Sequence, residues 1–276
     1  MRRMPAVLLA IAACAPAADT EMPVLVAPPV AVYTVSEYAF AGPDTLAAGA
    51  TTFRMETAGA ELHHITLVRL DDGHTLEEFL AVPPDAPPPS WAHFAGGPNP
   101  SAPGTASEAT VVLTEGSWAM VCFVPAPDGM PHVAKGMAKA FTVIPASAPA
   151  AEPAAQVVMT LREYDFDLSA PLTAGTHTIR IENGGVQGHE VLLVKLNEGA
   201  TIQDMVAYVD QMEAGTVAGP PPATPMGGVA GMDPGGRNWL TVTLTPGEYG
   251  LLCFVPDSGD GRMHTHHGMA RQISIQ

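Results

Sequence analysis

Short runs of apolar residues, broken by Gly, Pro and polar clusters, recur along the chain in two matching series. Val30 to Phe40 and Val157 to Phe166 read as opening strands, and Thr51 to Thr57 and Thr176 to Asn183 as strands following an Ala-Gly turn. Ile65 to Leu70 and Val191 to Leu196 are apolar enough to be buried strands. Thr75 before Leu76 to Leu80, and Thr201 before Ile202 to Val209, each read as an N-cap opening an amphipathic helical turn. The Pro-rich stretches from Pro83 to Pro103 and from Gly215 to Pro234 read as loops. Ala109 to Phe123 and Leu240 to Phe254 then carry the chain into a last loop, and Ala140 to Ile144 and Arg271 to Ile275 carry it out. Roughly seven short strands and one short inserted helix per series predict an all-β chain of two tandem Greek-key sandwiches.

The two series are a duplication. From Ser36 to Leu80 each residue pairs with one 126 positions later, so that Glu37-Tyr38 matches Glu163-Tyr164 and His63 matches His189. From Gly96 the offset is 131, pairing Cys122-Phe123-Val124-Pro125 with Cys253-Phe254-Val255-Pro256, and then 132, pairing His132 with His264 and Gly136-Met137 with Gly268-Met269. His, Cys, His and Met therefore recur in order while the loops around them change length, which points to a repeat built around a site.

Composition narrows the class. The 276 residues suit two domains, and the repeat places them at 30–145 and 157–276, joined by a Pro/Ala linker at 146–156. The net charge of −16 divides evenly, about 12 acidic against 4 basic residues from Val24 to Ala146 and 14 against 6 from Ser147 onward. Neither half offers a basic face for phosphates, so nucleic acid is not an expected partner, and a cationic protein is. Arg2 and Arg3 precede an apolar run, Pro5 to Ala13, too short to span a bilayer but suited to an export signal. The run ends in Ile11-Ala12-Ala13-Cys14, which looks like a bacterial lipobox with Cys14 as the lipid-modified residue, residues 15–29 serving as a tether. An ordinary secretory signal cut at the Ala-Pro-Ala run is the alternative. Either reading puts the mature chain outside the cytoplasm, and the first anchors it to a membrane as a periplasmic lipoprotein.

The remaining cysteines fall one per repeat, at equivalent positions. In an oxidising compartment a lone Cys invites pairing or oxidation unless buried or metal-bound, and a Cys122–Cys253 disulfide is the competing account. Trp118, Met120 and Cys122 share strand parity, as do Tyr249, Leu251 and Cys253, so each thiol points to the core-facing side. Thiol, imidazole and thioether then arrive at one pole of each sandwich, with His63 or His189 from another strand as the fourth donor. His64 reads as the outward-facing neighbour of His63, His74 and His93 as solvent-exposed, and Met226 and Met232 as loop packing.

Gly188-His189-Glu190 opening a strand, Tyr249-x-x-x-Cys253-x-x-Pro256, and His264-x-x-x-Gly268-Met269 together resemble the cupredoxins, the blue copper family, and the resemblance covers both repeats nearly end to end. It implies copper as cofactor. It makes His63, Cys122 and His132 the equatorial ligands of one site and Met137 its weak axial ligand, with His189, Cys253, His264 and Met269 in the same roles in the second. Nine residues separate Cys122 from His132 and ten separate Cys253 from His264, more than is usual in the family, and His266 and His267 compete with His264. The resemblance implies one-electron transfer to a redox protein partner, with a His132 or His264 edge reaching an apolar docking surface. A copper carrier or buffer and a metal-free binding module are the alternatives. Multicopper oxidases and nitrite reductases also stack such domains but place His beside the Cys. Here Val121 and Phe123 flank Cys122, and Leu252 and Phe254 flank Cys253, so the chain is expected to be no enzyme.

Overall fold

A computed structural model describes residues 27–83 and 86–276, so Cys14 and the export signal lie outside the described residues. The first repeat contains β1 (Val30–Ser36), β2 (Ala39–Ala41), β3 (Thr45–Ala47), β4 (Gly49–Thr57), β5 (Thr66–Leu70), helix α1 (Leu76–Leu80), β6 (Ala92–Gly96), β7 (Ala106–Leu113), β8 (Gly116–Val121) and β9 (Ala138–Ile144). The second contains β10 (Val157–Arg162), β11 (Asp165–Leu168), β12 (Gly175–Asn183), β13 (His189–Leu196), helix α2 (Ile202–Glu213), β14 (Ala223–Met232), β15 (Arg237–Leu244), β16 (Gly247–Leu252) and β17 (Ala270–Ile275). Both helices open on a full capping box, Thr75 with Glu78 and Thr201 with Asp204.

The strands form two sheets, each running through both repeats: β11-β10-β12-β15-β7-β4-β1-β2, and β17-β16-β13-β14-β6-β5-β8-β9-β3. Their facing sides interdigitate. In the first repeat Tyr33, Val35, Phe53 and Met55 of one sheet pack with Leu67, Trp118 and Met120 of the other. In the second, Met159, Ile181 and Leu240 meet Val191, Leu193, Tyr249 and Leu251. The outer side of the second sheet is covered as well, by Ile202, Met205 and Val209 of α2 over Leu192, Val194 and Leu252. That double burial is why β5 and β13 read as continuous apolar runs and not as alternations.

Three expectations change. Each opening strand is a hairpin, because the chain reverses at Glu37-Tyr38 and at Glu163-Tyr164, the two tyrosines holding φ of 66° and 65°. The linker does not float free: Ala150 accepts from the Ala50 amide, and Glu152 pairs with Arg237. Most consequentially, the Pro-rich segments contain β6 and β14, which join the repeats, so the molecule is a continuous pair of sheets and not two separately closed sandwiches. Met232 pairs with Ala95, Ser101 bridges Met226, and Pro98 bridges Val229, its own equivalent 131 residues on. Such self-pairing of equivalent segments is the signature of a local two-fold relation between the repeats. Asn238 completes the junction by accepting from the Gly97 amide and donating to Ala95 O.

Candidate metal centres

Alternation along β8 and β16 delivers Cys122 and Cys253 to the core, one residue past each strand end, where both are wholly buried and free of any disulfide. Each lies in its own repeat's core cluster, so the competing disulfide account does not hold. His63 precedes β5 and His189 opens β13, strands that pair directly with β8 and β16. His132 and His264 each begin a 3-10 turn closed by a glycine, Gly136 or Gly268, at φ 96°. A Cβ there meets an unfavourable left-handed backbone, and glycine removes that cost.

The long Cys-to-His loops are pinched shut. Pro125 bridges Pro131 and Pro256 bridges Met263, so the extra residues form a side excursion and the chain returns to the thiol. The His132 amide then donates to Val124 O at 2.9 Å, Val133 to Cys122 O at 2.7 Å, and Met137 to His132 O at 3.0 Å. His264, Thr265 and Met269 repeat this pattern at 3.0, 3.1 and 2.9 Å. Met137 and Met269 are fully buried in the same clusters as the thiols.

The result is a pair of near-identical constellations. His63 Nδ1 stands 3.1 Å from His132 Nδ1, and Cys122 Sγ 3.5 Å from the latter. His189 Nδ1 stands 3.1 Å from His264 Nδ1, and Cys253 Sγ 3.3 Å from it. All donor atoms in a set lie within 4.8 Å of one another. His266 turns away to Asp210 and Glu213 of the α2 end, and His267 to Asp260, so His264 alone of the three joins the thiol. In the first repeat His74 bonds Glu78 and stacks on Trp91 and His93 bonds Asp71; in the second, Met232 is core rather than loop packing.

Burial favours the neutral form of the two thiols and of three of the imidazoles. Burial pushes the Cys122 thiol up to about 12 and Cys253 higher still. Burial likewise lowers His63 and His189, and takes His264 down to about 4, the neighbouring His189 adding to the effect. Two imidazole nitrogens facing each other at 3.1 Å, with a thiol sulfur 3.3–3.5 Å from one of them, crowd three donor atoms around one small buried space. A shared ion resolves the crowding: ligands at about 2.0–2.3 Å from one centre stand roughly this far apart. Two imidazoles and a thiolate suit a borderline-to-soft metal, and a nearby thioether favours Cu(I) without excluding Cu(II), so the His/Cys/His groupings fit copper.

The surroundings include residues that motif reading passed over. Glu37 and Glu163 accept backbone amides of the loops 58–61 and 184–186, and Glu163 also reaches His189 Nε2 at 3.5 Å. Tyr38 and Tyr164 place their rings edge-on against His132 and His264. Glu61 accepts from His132 Nε2 at 2.8 Å, whereas in the second repeat the nearest carboxylate to His264 Nε2 is Asp257, 3.8 Å away and already taken by Tyr164 and Gln187. Position 61 corresponds to Gln187 and Asp257 to Ala126, so the carboxylate has changed loops between the copies. The duplicated Glu-Tyr pair was a signal available in the sequence; the exchanged carboxylate was not. Both His132 and His264 are wholly buried, which corrects the expectation of a ligand edge at an apolar surface.

His64 is buried and not the outward-facing neighbour expected; it and Glu190, which follow His63 and His189, occupy one structural role. His64 Nε2 accepts from the Phe123 amide at 2.7 Å, and Glu190 Oε1 from the Phe254 amide at 2.9 Å, so each steadies the backbone just past a thiol. Burial lowers His64 to about 4 and raises Glu190.

No known family model matches this chain, and no curated protein matches it. Solved structures do. Auracyanin from the photosynthetic bacterium Roseiflexus castenholzii, in its dithionite-reduced form, is 19% identical over 44% of this chain and 100% of its own, with a TM-score of 0.32. A multicopper oxidase is 14% identical over 90% of this chain and 88% of its own, at 0.24. A copper-containing nitrite reductase from Thermus scotoductus is 10% identical over 90% and 61%, at 0.24. The expectation that the chain is no enzyme is corrected: a multicopper oxidase and a nitrite reductase are among the solved structures it is similar to.

Proposed function

We propose that each repeat holds one copper ion, which His63, Cys122 and His132 would bind with Met137 as a weaker ligand, and His189, Cys253 and His264 with Met269. The observation that carries this reading is the convergence, in both copies, of two Nδ1 atoms and a thiol sulfur within 4.8 Å, all wholly buried. Bound copper would supply one-electron redox chemistry. The residues themselves exclude water, offer imidazole and thiol donors and, through the backbone bonds of the pinched loops, hold the geometry with little rearrangement.

On this reading the chain transfers single electrons, exported and tethered to a membrane through Cys14 in the periplasm, with residues 30–145 and 157–276 as cupredoxin-like units. Its redox partner is a cationic protein, matching the −16 charge. Retention of the metal is favoured over release, because no donor is exposed and a carrier must open its site. Adding Cu(II) and recording the visible spectrum tests copper binding: an intense thiolate-to-copper band is expected, and a colourless titration would overturn it. Reversible voltammetry with slow loss of Cu(I) to a chelator supports electron transfer; loss as fast as mixing, with no reversible wave, would move the assignment to copper handling.

A further inference from the structure

Two tyrosines, equivalent in the two copies, hold a strained backbone. Among the described residues Tyr38 and Tyr164 are the non-glycines with positive φ, 66° and 65°, each in the second position of a two-residue turn, after β1 and after β10. Glycine enters that region without cost and a bulky side chain does not, so a tyrosine kept there in both copies points to its ring. Tyr38 stands edge-on against His132, ring centroids 5.2 Å apart, and Tyr164 against His264 at 5.5 Å. A basic residue meets each ring as well. Lys135 Nζ lies over Tyr38, 5.3 Å from the centroid, and His267 stacks on Tyr164 at 4.9 Å.

The parts that hold each ring are duplicated too. Positions 135 and 267 are equivalent, and Asp128-Gly129 matches Asp260-Gly261. Lys135 Nζ donates to Asp128 Oδ2, and His267 Nε2 to Asp260 Oδ1 at 3.2 Å. Both acids lie in the side excursions of the Cys-to-His loops, between Pro125 and Pro131 and between Pro256 and Met263. The residues that make these loops long therefore carry an anchor for each basic side chain. The glutamate before each tyrosine fixes the turn from the other direction. Glu37 accepts the Ala60 and Glu61 amides at 2.6 and 3.1 Å, and Glu163 accepts the Val186 amide. A Cβ on Gly59 would run into Glu37 Oε1, and one on Gly185, its equivalent, would stand 2.6 Å from Glu163 Oε1, so in both copies a glycine admits the carboxylate.

We infer that each Glu-Tyr turn is a latch on the imidazole that follows the thiol, a positioning device that holds His132 or His264 and sets how slowly bound metal leaves. The inference rests on the copper reading above. His132 and His264 are wholly buried and the tyrosines against them half-buried. An imidazole that swings off a metal toward its tyrosine must displace a ring held by the turn and by a basic side chain with its own Asp. Groups that brace a ligating imidazole from behind in this way govern how firmly it stays on the metal. The exchange of Lys135 for His267 between the copies keeps the contact on the ring while changing the residue that makes it.

The test is the rate at which the full chain, loaded with Cu(I), yields it to excess bathocuproine disulfonate, with Cys253→Ser isolating the first set and Cys122→Ser the second. Tyr38→Ala and Tyr164→Ala are each expected to speed loss from their own set by about tenfold or more. Tyr38→Phe and Tyr164→Phe keep the ring and should lose copper at the parent rate. His267→Ala should speed loss from the second set, and His267→Lys, the residue of the first copy, should restore slow loss. A tyrosine that only filled space would lower the urea midpoint of the metal-free chain and leave the rate of loss from folded protein unchanged. Loss at the parent rate in the folded Ala variants, or loss from the Phe variants as fast as from Ala, would overturn the latch with copper binding intact. Where a tyrosine variant does not fold, Lys135→Ala and His267→Ala, at half-buried positions, decide the matter, and parent rates in both would overturn it. Failure of both single-set proteins to take up copper would overturn the copper reading beneath it.

Discussion

His132 donates from Nε2 to Glu61 Oε2 at 2.8 Å, and that one bond selects the tautomer that leaves Nδ1 as a lone pair facing Cys122. His264, its counterpart, makes no hydrogen bond from Nε2. A carboxylate behind a ligating imidazole orients the ring and strengthens it as a donor. The two donor sets, alike in their first contacts, therefore differ behind them, and on the copper reading the first is expected to bind a divalent ion more tightly.

Glu61→Ala should lower the copper affinity of the first set by about tenfold to a hundredfold, the usual cost of removing such a support, and leave the second set unchanged. Chelator competition in the Cys253→Ser and Cys122→Ser backgrounds measures each set separately. Equal affinities before and after the change would show that Glu61 is an ordinary surface acid.

Colour should divide between the copies. Cys122→Ser should remove one share of the thiolate-to-copper absorption, Cys253→Ser the other, and the double variant all of it, because the thiolate is the source of the band. Absorption that persists in the double variant would point to donors elsewhere in the chain.

Gly185→Ala should damage the second set selectively. An added Cβ would stand 2.6 Å from His189 Nε2 and 2.6 Å from Glu163 Oε1, so the loop or the imidazole must move. Copper uptake by the second set should fall by at least about tenfold while the first set binds as before, since a ligand support is displaced. Undiminished uptake would mean that the loop yields without cost.

The metal-free protein should lose stability as pH falls from about 6.5 toward 4. His64 is held near 4 in the fold, against 6.5 for the unreacted imidazole, so the unfolded chain binds the extra proton and folding weakens across that window. Urea unfolding at a series of pH values measures the slope, and His64→Gln, which keeps an acceptor for the Phe123 amide, should flatten it. An identical slope in the variant would assign the acid sensitivity to other groups.

Cys14 lies outside the described residues, and its modification is a question for mass spectrometry of the mature N-terminus. A diacylated Cys14 as first residue is expected from the short apolar run that ends there. A free N-terminus beyond Cys14 would make the mature chain a soluble secreted protein.

The duplication made much of this molecule legible in advance. Strand parity alone sends Cys122 and Cys253 inward with Trp118, Met120, Tyr249 and Leu251, because side chains alternate along a strand whatever it pairs with. The capping boxes at Thr75 and Thr201 are equally local, three residues from cap to partner. Order and spacing likewise picked out the two His and the Cys whose donor atoms converge in each copy.

What the sequence alone could not decide depends on partners distant in the chain. The Pro-rich segments carry no clear alternation, yet they form β6 and β14 because each finds the other across the local two-fold, and pairing between copies leaves no mark on either copy's own pattern. The choice of His264 over His266 and His267 follows from the bridge between Pro256 and Met263, which sets where the turn begins. The burial of His132 and His264, the carboxylate at position 61 in one copy and 257 in the other, and the contact of Asn99 with Glu190 all arise where segments far apart in sequence meet, and only the tertiary structure brings those segments together.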